Sequence, residues 1–428
     1  MISERTRKLE GSIVIPGSKS HTIRAVIIAS LADGTSRIFS PLRSEDTMAA
    51  VNACIALGAD INTNNPDEWI ITGFGNSPTA PSGPIDMGNS GTSARLIAGI
   101  CSLFDFEVVI DGDDSLRSRP MQELLNALNS LGAEAESVNG DGKCPIRIKG
   151  KLKGGEASIK GMTSQYVSSV LIAAPVAEGD TVLTVRELNE IPYVYMTLKW
   201  LRESGIEIEA GHDDRIPGYR YRINGNQKYR PFKKSIPADW SSATFPLVAA
   251  AAIDSDVLLK GLDINDPQGD KAVVEFLKSM GADIIQEEKG MRIKGKQLTG
   301  RELDLNNTPD ALPALAVLGC SARGTTKLIN VAQARIKETD RIAVMAGELS
   351  KMGASIEEKE DGLVINNSEL TGLDVNGYND HRVVMALAVA GMTASGKTVV
   401  STAESINVTF PGFVDLMKSL GAKMRLEG

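Results

Sequence analysis

Six times along this chain an amphipathic helical stretch runs into a small-residue turn carrying Gly58, Gly132, Gly205, Gly281, Gly353 or Gly421, and a strand-like segment follows. The glycines recur at intervals of 68 to 76 residues. Read outward from them, each unit opens with a strand and a polar cluster, continues through an Ala-rich apolar helix and a strand, and closes with the amphipathic helix. That pattern predicts six copies of one unit of roughly βαβαββ type.

The polar clusters fall at equivalent places. The apolar helices begin near Ser18-Lys19-Ser20, Asn89-Ser90-Gly91-Thr92, Thr163-Ser164-Gln165, Asp239-Trp240-Ser241-Ser242, Thr308-Pro309-Asp310 and Asn379-Asp380-His381-Arg382, all helix-start residue types. The bodies that follow, such as Ala25–Leu31, Tyr166–Ala177, Phe245–Ile253 and Val383–Ala390, are apolar nearly all round. They are expected in the core, with the amphipathic helices outside them. With repeats one to three in one domain and four to six in another, three buried helices in each would run side by side, N-termini at one end. Every such terminus offers free N–H groups and roughly half a positive charge, worth about 0.3–1 kcal/mol to a bound anion. Two such ends facing each other would make a cleft for a polyanion. Any single cluster reads as an ordinary N-cap; six of them, with Lys19, Arg24, Arg95 and Arg382 alongside, point to anion binding.

A length of 428 residues exceeds one core, and 42% hydrophobic with 23% charged residues is ordinary for a soluble globular protein. The net charge of −8, with no aromatic-interleaved basic stretch, argues against a nucleic-acid partner. Met1–Gly11 is polar and leads straight into the first strand, which reads as no signal peptide, and no apolar run reaches membrane-spanning length. Cys54, Cys101, Cys144 and Cys320 are scattered without C-x-x-C spacing, which fits reduced thiols in a cytoplasm. His21, His212 and His381 are too few and too dispersed for a metal centre, so neither metal nor organic cofactor is expected. The stretch 73–84 (GFGNSPTAPSGP) reads as a loop between units one and two, and 224–237 (NGNQKYRPFKKSIP) as the linker between domains.

Three segments carry strong basic or acid–base signals. In 16–24 a Gly-Ser turn presents Lys19 at a helix start and Arg24 one turn later. It matches a nucleotide-binding loop poorly, because Gly11 and Gly17 are one position too far apart and Ser18 intervenes before Lys19. The stretch 113–120 (DDSLRSRP) reads as a turn-rich loop able to deliver a guanidinium to a carboxylate or phosphate, and alone as a solvated surface loop. The stretch 335–341 (RIKETDR) places five charges in seven residues before an amphipathic helix, alone a solvated helix start. With Asp310 and Glu338 it supplies two carboxylates for proton transfer, flanked by Lys337 and Arg341 to hold anions.

The stretches PGSKS with Arg24, GNSGT with Arg95, LRSRP, TSQ, Pro309-Asp310, RIKETDR and NDHR resemble, in order and over essentially the whole chain, those of the 5-enolpyruvylshikimate-3-phosphate synthase family. The resemblance implies a two-domain α/β fold: each domain an inside-out barrel of three βαβαββ units around buried parallel helices, with the active site between domains. The expected domains are 1–16 plus 237–428 and 17–236, hinged near Pro16-Gly17 and Ile236-Pro237. It also implies enolpyruvyl transfer from phosphoenolpyruvate to shikimate 3-phosphate by a monomer that needs no cofactor and has no nucleic-acid or membrane partner. Carried over by motif, Arg119, Arg341 and Arg382 would hold phosphoenolpyruvate, with Gly91 and Gln165 close by. Ser20, Arg24, Thr163, Ser164, Gln165, Tyr193, Asp310, Gln333 and Lys337 would hold shikimate 3-phosphate, and Lys19 would touch both. The catalytic set would be Lys19, Asp310 and Glu338.

Three positions depart from the family pattern: Val408 where a phosphate-binding Lys is common, Gln333 where Asn is frequent, and Glu190 where a phosphate-binding hydroxyl is frequent. A Glu beside a phosphate would repel it unless turned away or paired with a cation. The rival readings are an enolpyruvyl transferase acting on UDP-N-acetylglucosamine, which commonly uses a Cys in the loop here formed by 113–120, and a non-catalytic anion-binding homologue.

Overall fold

A computed structural model describes residues 1–75, 77–212 and 218–427; residue 76 of the 73–84 stretch lies outside that set. The chain divides into two compact units, Gly17–Ile236 and Met1–Pro16 with Pro237–Gly428. In Gly17–Ile236 the helices are α1 (Lys19–Leu31), α2 (Glu45–Ala56), α3 (Gly91–Cys101), α4 (Asp114–Ser118), α5 (Gln122–Ser130), α6 (Ser164–Ala173) and α7 (Ile191–Glu203). The other unit carries α8 (Trp240–Ala252), α9 (Ala272–Ser279), α10 (Leu312–Ser321), α11 (Arg341–Lys351), α12 (His381–Thr393) and α13 (Phe413–Ser419). Helices α1, α3 and α6 in one unit and α8, α10 and α12 in the other are buried along nearly their whole length, as their all-round apolar faces require. Each unit has its own cluster of buried apolar side chains.

Among the described residues the strands form six four-stranded sheets on one plan. The strands before and after a buried helix pair in parallel, and an antiparallel hairpin adds its second strand to them. In one sheet Gly155–Lys160 runs parallel to Thr181–Arg186, which pairs with Tyr219–Ile223, which pairs with Ile208–His212. Three sheets borrow a strand from a distant part of the chain. Lys233–Ser235 runs parallel to Thr35–Phe39 and opens the first repeat. Lys8–Val14 opens the fourth, parallel to Asp254–Lys260. Ile2–Glu4 completes the sixth, between Lys397–Val400 and Lys423–Arg425. The boundary between the units falls within 224–237, at Ile236-Pro237, and the reading of that stretch as a linker is corrected only at 233–235. Its Lys-Lys-Ser is an edge strand, where charged side chains are usual and apolar alternation is weak.

The six recurrent glycines end the amphipathic helices α2, α5, α7, α9, α11 and α13. Gly58 has φ +106°, and the other five lie between +85° and +103°. The Gly58 N–H bonds to the Ile55 carbonyl and the Ala59 N–H to the Cys54 carbonyl, and the same two-bond pattern closes the other five helices. It satisfies carbonyls that a helix end leaves open, and its left-handed residue favours glycine. The residue after each glycine turns toward the core: Ala59, Ala133, Ile206 and Ala422 are buried, and Ala282 and Ala354 are partly buried. This cap turns the chain from helix into hairpin in every repeat.

Candidate active site

In Gly17–Ile236, the starts of α1, α3 and α6 lie at one end of the unit. The Gln165 amide donates to Thr92 Oγ1 at 2.9 Å, and Arg95 Nη1 donates to Gln165 Oε1 at 2.6 Å, tying α6 to α3. Arg24, 1% exposed, ties α1 to its neighbours by donating to Thr197 Oγ1, Ser168 Oγ and the Ser20 and Tyr193 carbonyls. Burial pushes its guanidinium down to about 10, with Tyr193 and Glu190 opposing that. Lys19, first residue of α1, is held 2.9 Å from Asp46 in the first turn of α2. Tyr193 is partly buried on α7.

Arg119 lies against the start of α3. Its guanidinium donates to the Asn89 carbonyl and side chain and to Ser115 Oγ, at 2.7–3.1 Å. Gly91 makes this approach possible: a Cβ there would lie 2.8 Å from Arg119 Nη1 and 3.3 Å from Arg95 Nη1. Two guanidinium groups thus converge on one helix N-terminus. The 113–120 stretch, read as a surface loop, contains the one-turn helix α4 capped by Asp113. That turn exposes Arg117 to pair with Asp111 and turns Arg119 inward, where it is buried.

In the other unit, Asp310 sits in a 3-10 turn at Pro309–Ala311, directly ahead of α10. Arg341 Nη1 donates to its Oδ1 at 2.7 Å, and Arg382 Nη2 lies 2.9 Å from its Oδ2. Burial alone would raise the Asp310 carboxyl, but Arg382, Lys337 and Arg341 outweigh it and hold the group well below the usual carboxylate range. Arg341, fully buried at the start of α11, also donates to Glu338 Oε2 at 2.5 Å and grips Asp380 through Nε at 2.7 Å and Nη2 at 3.1 Å. Asp380 caps α12, its Oδ1 accepting from the Arg382 N–H at 2.9 Å. Arg341, Arg382 and Lys337 therefore stand against Asp310, Glu338 and Asp380, three cations and three carboxylates. None of residues 335–341 is exposed, which sets aside the solvated-helix-start reading.

Gln333 is buried in a 3-10 turn and donates to the Asn306 carbonyl at 2.9 Å. Val408 is buried and apolar, so its position offers no cation. Sequence reasoning overlooked Asp46 and the Arg341 clamp of Asp380. The available signals were an acidic residue in the first turn of α2 and the Asp inside NDHR.

Six βαβαββ repeats in two units, with cationic groups and hydroxyls gathered at buried helix starts, define the inside-out α/β barrel class. The family model described as EPSP synthase (3-phosphoshikimate 1-carboxyvinyltransferase) matches residues 3–417, and the chain belongs to that family. A 3-phosphoshikimate 1-carboxyvinyltransferase of Acetivibrio thermocellus is 52% identical over 99% of this chain and 98% of its own. One of Methanocaldococcus jannaschii is 42% identical over 100% and 99%. A solved EPSP synthase of Acinetobacter baumannii matches with a TM-score of 0.81 at 31% identity, covering 98% of this chain and 97% of its own.

Proposed function

We propose that this chain transfers the enolpyruvyl group of phosphoenolpyruvate to the 5-hydroxyl of shikimate 3-phosphate and releases phosphate, a step of aromatic amino acid biosynthesis. The observation that carries this reading is the pairing of Asp310 and Glu338 with Arg341 and Arg382 in a chain of the EPSP synthase family. Both substrates are phosphorylated carboxylates, matched by guanidinium groups that bind such anions in two-pronged fashion. Arg119, Arg341 and Arg382 would hold phosphoenolpyruvate, with Gly91 and Gln165 close to it. Ser20, Arg24, Thr163, Ser164, Gln165, Tyr193, Asp310, Gln333 and Lys337 would hold shikimate 3-phosphate, and Lys19 would touch both substrates. A cytoplasmic monomer is part of the proposal, and the four buried free cysteines support a reducing compartment. No helix among the described residues is long and apolar enough to cross a membrane.

In the addition, the 5-hydroxyl oxygen bonds to C2 of phosphoenolpyruvate as Asp310 takes its proton, and Glu338 delivers a proton to C3, giving a tetrahedral ketal. In the elimination, Glu338 takes a proton back from C3, the double bond re-forms, and phosphate leaves with the electron pair of its bond to C2. Lys19 meets the charge that develops at the bridging oxygens. Asp310, held far below the usual carboxylate range by its cations, is a weak base before substrate arrives. Once the carboxylate and phosphate of phosphoenolpyruvate engage Arg341 and Arg382, Asp310 loses those partners and its proton affinity rises. The base thus gains strength when the site fills.

Phosphate release should require both substrates and proceed without added metal or nucleotide. No turnover at millimolar substrate would overturn the reading, and activity with UDP-N-acetylglucosamine would move it to the rival transferase; the absence of Cys from 113–120 disfavours that rival. Replacing Arg by Lys removes the planar fork that fits a carboxylate. Arg119→Lys and Arg382→Lys should therefore raise the KM for phosphoenolpyruvate far more than that for shikimate 3-phosphate in steady-state kinetics. Equal losses for both would assign these arginines to the fold.

A further inference from the structure

Within Gly17–Ile236 a carboxylate occupies donors that suit an anion from solution. Glu190 precedes α7 with φ 56° and ψ 38°, left-handed values that a non-glycine residue adopts only when its surroundings hold it there. Its side chain points inward and the residue is 3% exposed. One oxygen, Oε2, accepts from Ser164 Oγ at 2.8 Å, from Thr163 Oγ1 at 3.1 Å and from the Ser164 N–H at 3.2 Å. Two hydroxyls and a backbone amide at the start of a ten-residue helix form a donor set that a phosphate oxygen takes readily.

Two buried cations bear on the same place. Arg24 and Arg95 both feel the Glu190 charge, and their hydrogen bonds run to neutral acceptors: hydroxyls and carbonyls for Arg24, Gln165 Oε1 and the Pro120 carbonyl for Arg95. Burial pushes both guanidinium groups down, so each gains from a nearby negative charge. Glu190 does not turn away to solvent; its carboxylate stands among these donors. It acts as the anion.

We propose that Glu190 is a resident counter-ion of the phosphate subsite, holding the Thr163 and Ser164 donors while the site is empty and giving them up when the phosphate of shikimate 3-phosphate arrives. This rests on the functional reading above. A carboxylate and a phosphate cannot share one set of donors, because each accepts the same protons and their charges repel. Arrival of the phosphate frees the left-handed backbone at Glu190 from the bonds that hold it, which offsets part of the loss. The internal carboxylate therefore stabilises the ligand-free unit and weakens the phosphate contact, while leaving the affinity for the unphosphorylated ring unchanged.

Calorimetric titration of wild type, Glu190→Gln and Glu190→Ser with shikimate 3-phosphate and with shikimate tests this. Both variants should bind shikimate 3-phosphate about tenfold or more tightly than wild type, the scale of one charge-assisted hydrogen bond, and shikimate within about twofold of it. The ligand-free melting temperature of Glu190→Ser should fall, and shikimate 3-phosphate should raise it by more than in wild type. Unchanged or weaker binding of shikimate 3-phosphate by a folded variant would overturn the proposal, as would a parallel change for shikimate. A wild type that binds no shikimate 3-phosphate would overturn the functional reading, and this one with it.

Discussion

Glu338→Gln should bind both substrates and lose turnover by about 10²-fold or more, the range measured for general acid–base groups. The carboxylate accepts from Arg341 at 2.5 Å, and its side chain is 13% exposed, so it is fixed by a cation yet open on one side. Glutamine keeps the size and an acceptor oxygen for Arg341 but cannot cycle a proton. Because C3 becomes a methyl group in the ketal and must lose a proton again, a reversible enzyme in D₂O places deuterium on C3 of recovered phosphoenolpyruvate and of product. That exchange should collapse together with turnover in Glu338→Gln. If it persists there while Asp310→Asn abolishes it, the two carboxylates hold each other's roles.

Asp380→Ala should be the most damaging single change to stability in its unit. Asp380 is fully buried, and two guanidinium nitrogens of Arg341 rest on it at 2.7 and 3.1 Å. Breaking a buried ion pair by removing one partner costs about 3–5 kcal/mol, and because Asp310 and Glu338 still face Arg341 the loss here should fall at the lower end of that range. Loss of the α12 cap adds about 1 kcal/mol. For a unit of this size the melting temperature should fall by about 10 °C or more. Asp380→Asn keeps the cap and one acceptor for Arg341 and should recover part of the loss in a calorimetric scan. A melting temperature within about 2 °C of wild type for Asp380→Ala would show that Asp310 and Glu338 suffice to hold Arg341.

The repeat was legible because each copy repeats the same local chemistry: a cap residue, an all-apolar helix body, and a glycine whose left-handed backbone ends the next helix. The clustering of the candidate cations at helix starts was legible for a related reason. Lys19, Arg341 and Arg382 occupy the first turns of α1, α11 and α12, where helix periodicity fixes their place. Their partners were harder to see. Asp46 is 27 residues from Lys19, and Asp380 is 39 from Arg341, so only tertiary packing joins them. Lys233–Ser235 escaped notice because an edge strand needs no apolar alternation. Glu190 was legible as a departure from the hydroxyl common at its place, but not as an acceptor facing inward. Its orientation depends on a left-handed backbone at a position carrying no glycine.

The borrowed strands give the two units different histories of assembly. Gly17–Ile236 holds every strand of its three sheets, the last being Lys233–Ser235, so a growing chain can close it before much of the other half has been made. Ile2–Glu4, made first, waits for Lys397–Val400 and Lys423–Arg425, made last. The intervening unit shortens that wait in entropic terms. Asp239 N–H bonds to the Pro16 carbonyl at 2.9 Å, and a Cβ on Gly17 would lie 3.3 Å from Ile236, so the two ends of the inserted stretch meet. Once folded, some 220 residues act as a short bridge rather than a long loop, which lowers the chain entropy lost when the first strand finds the last.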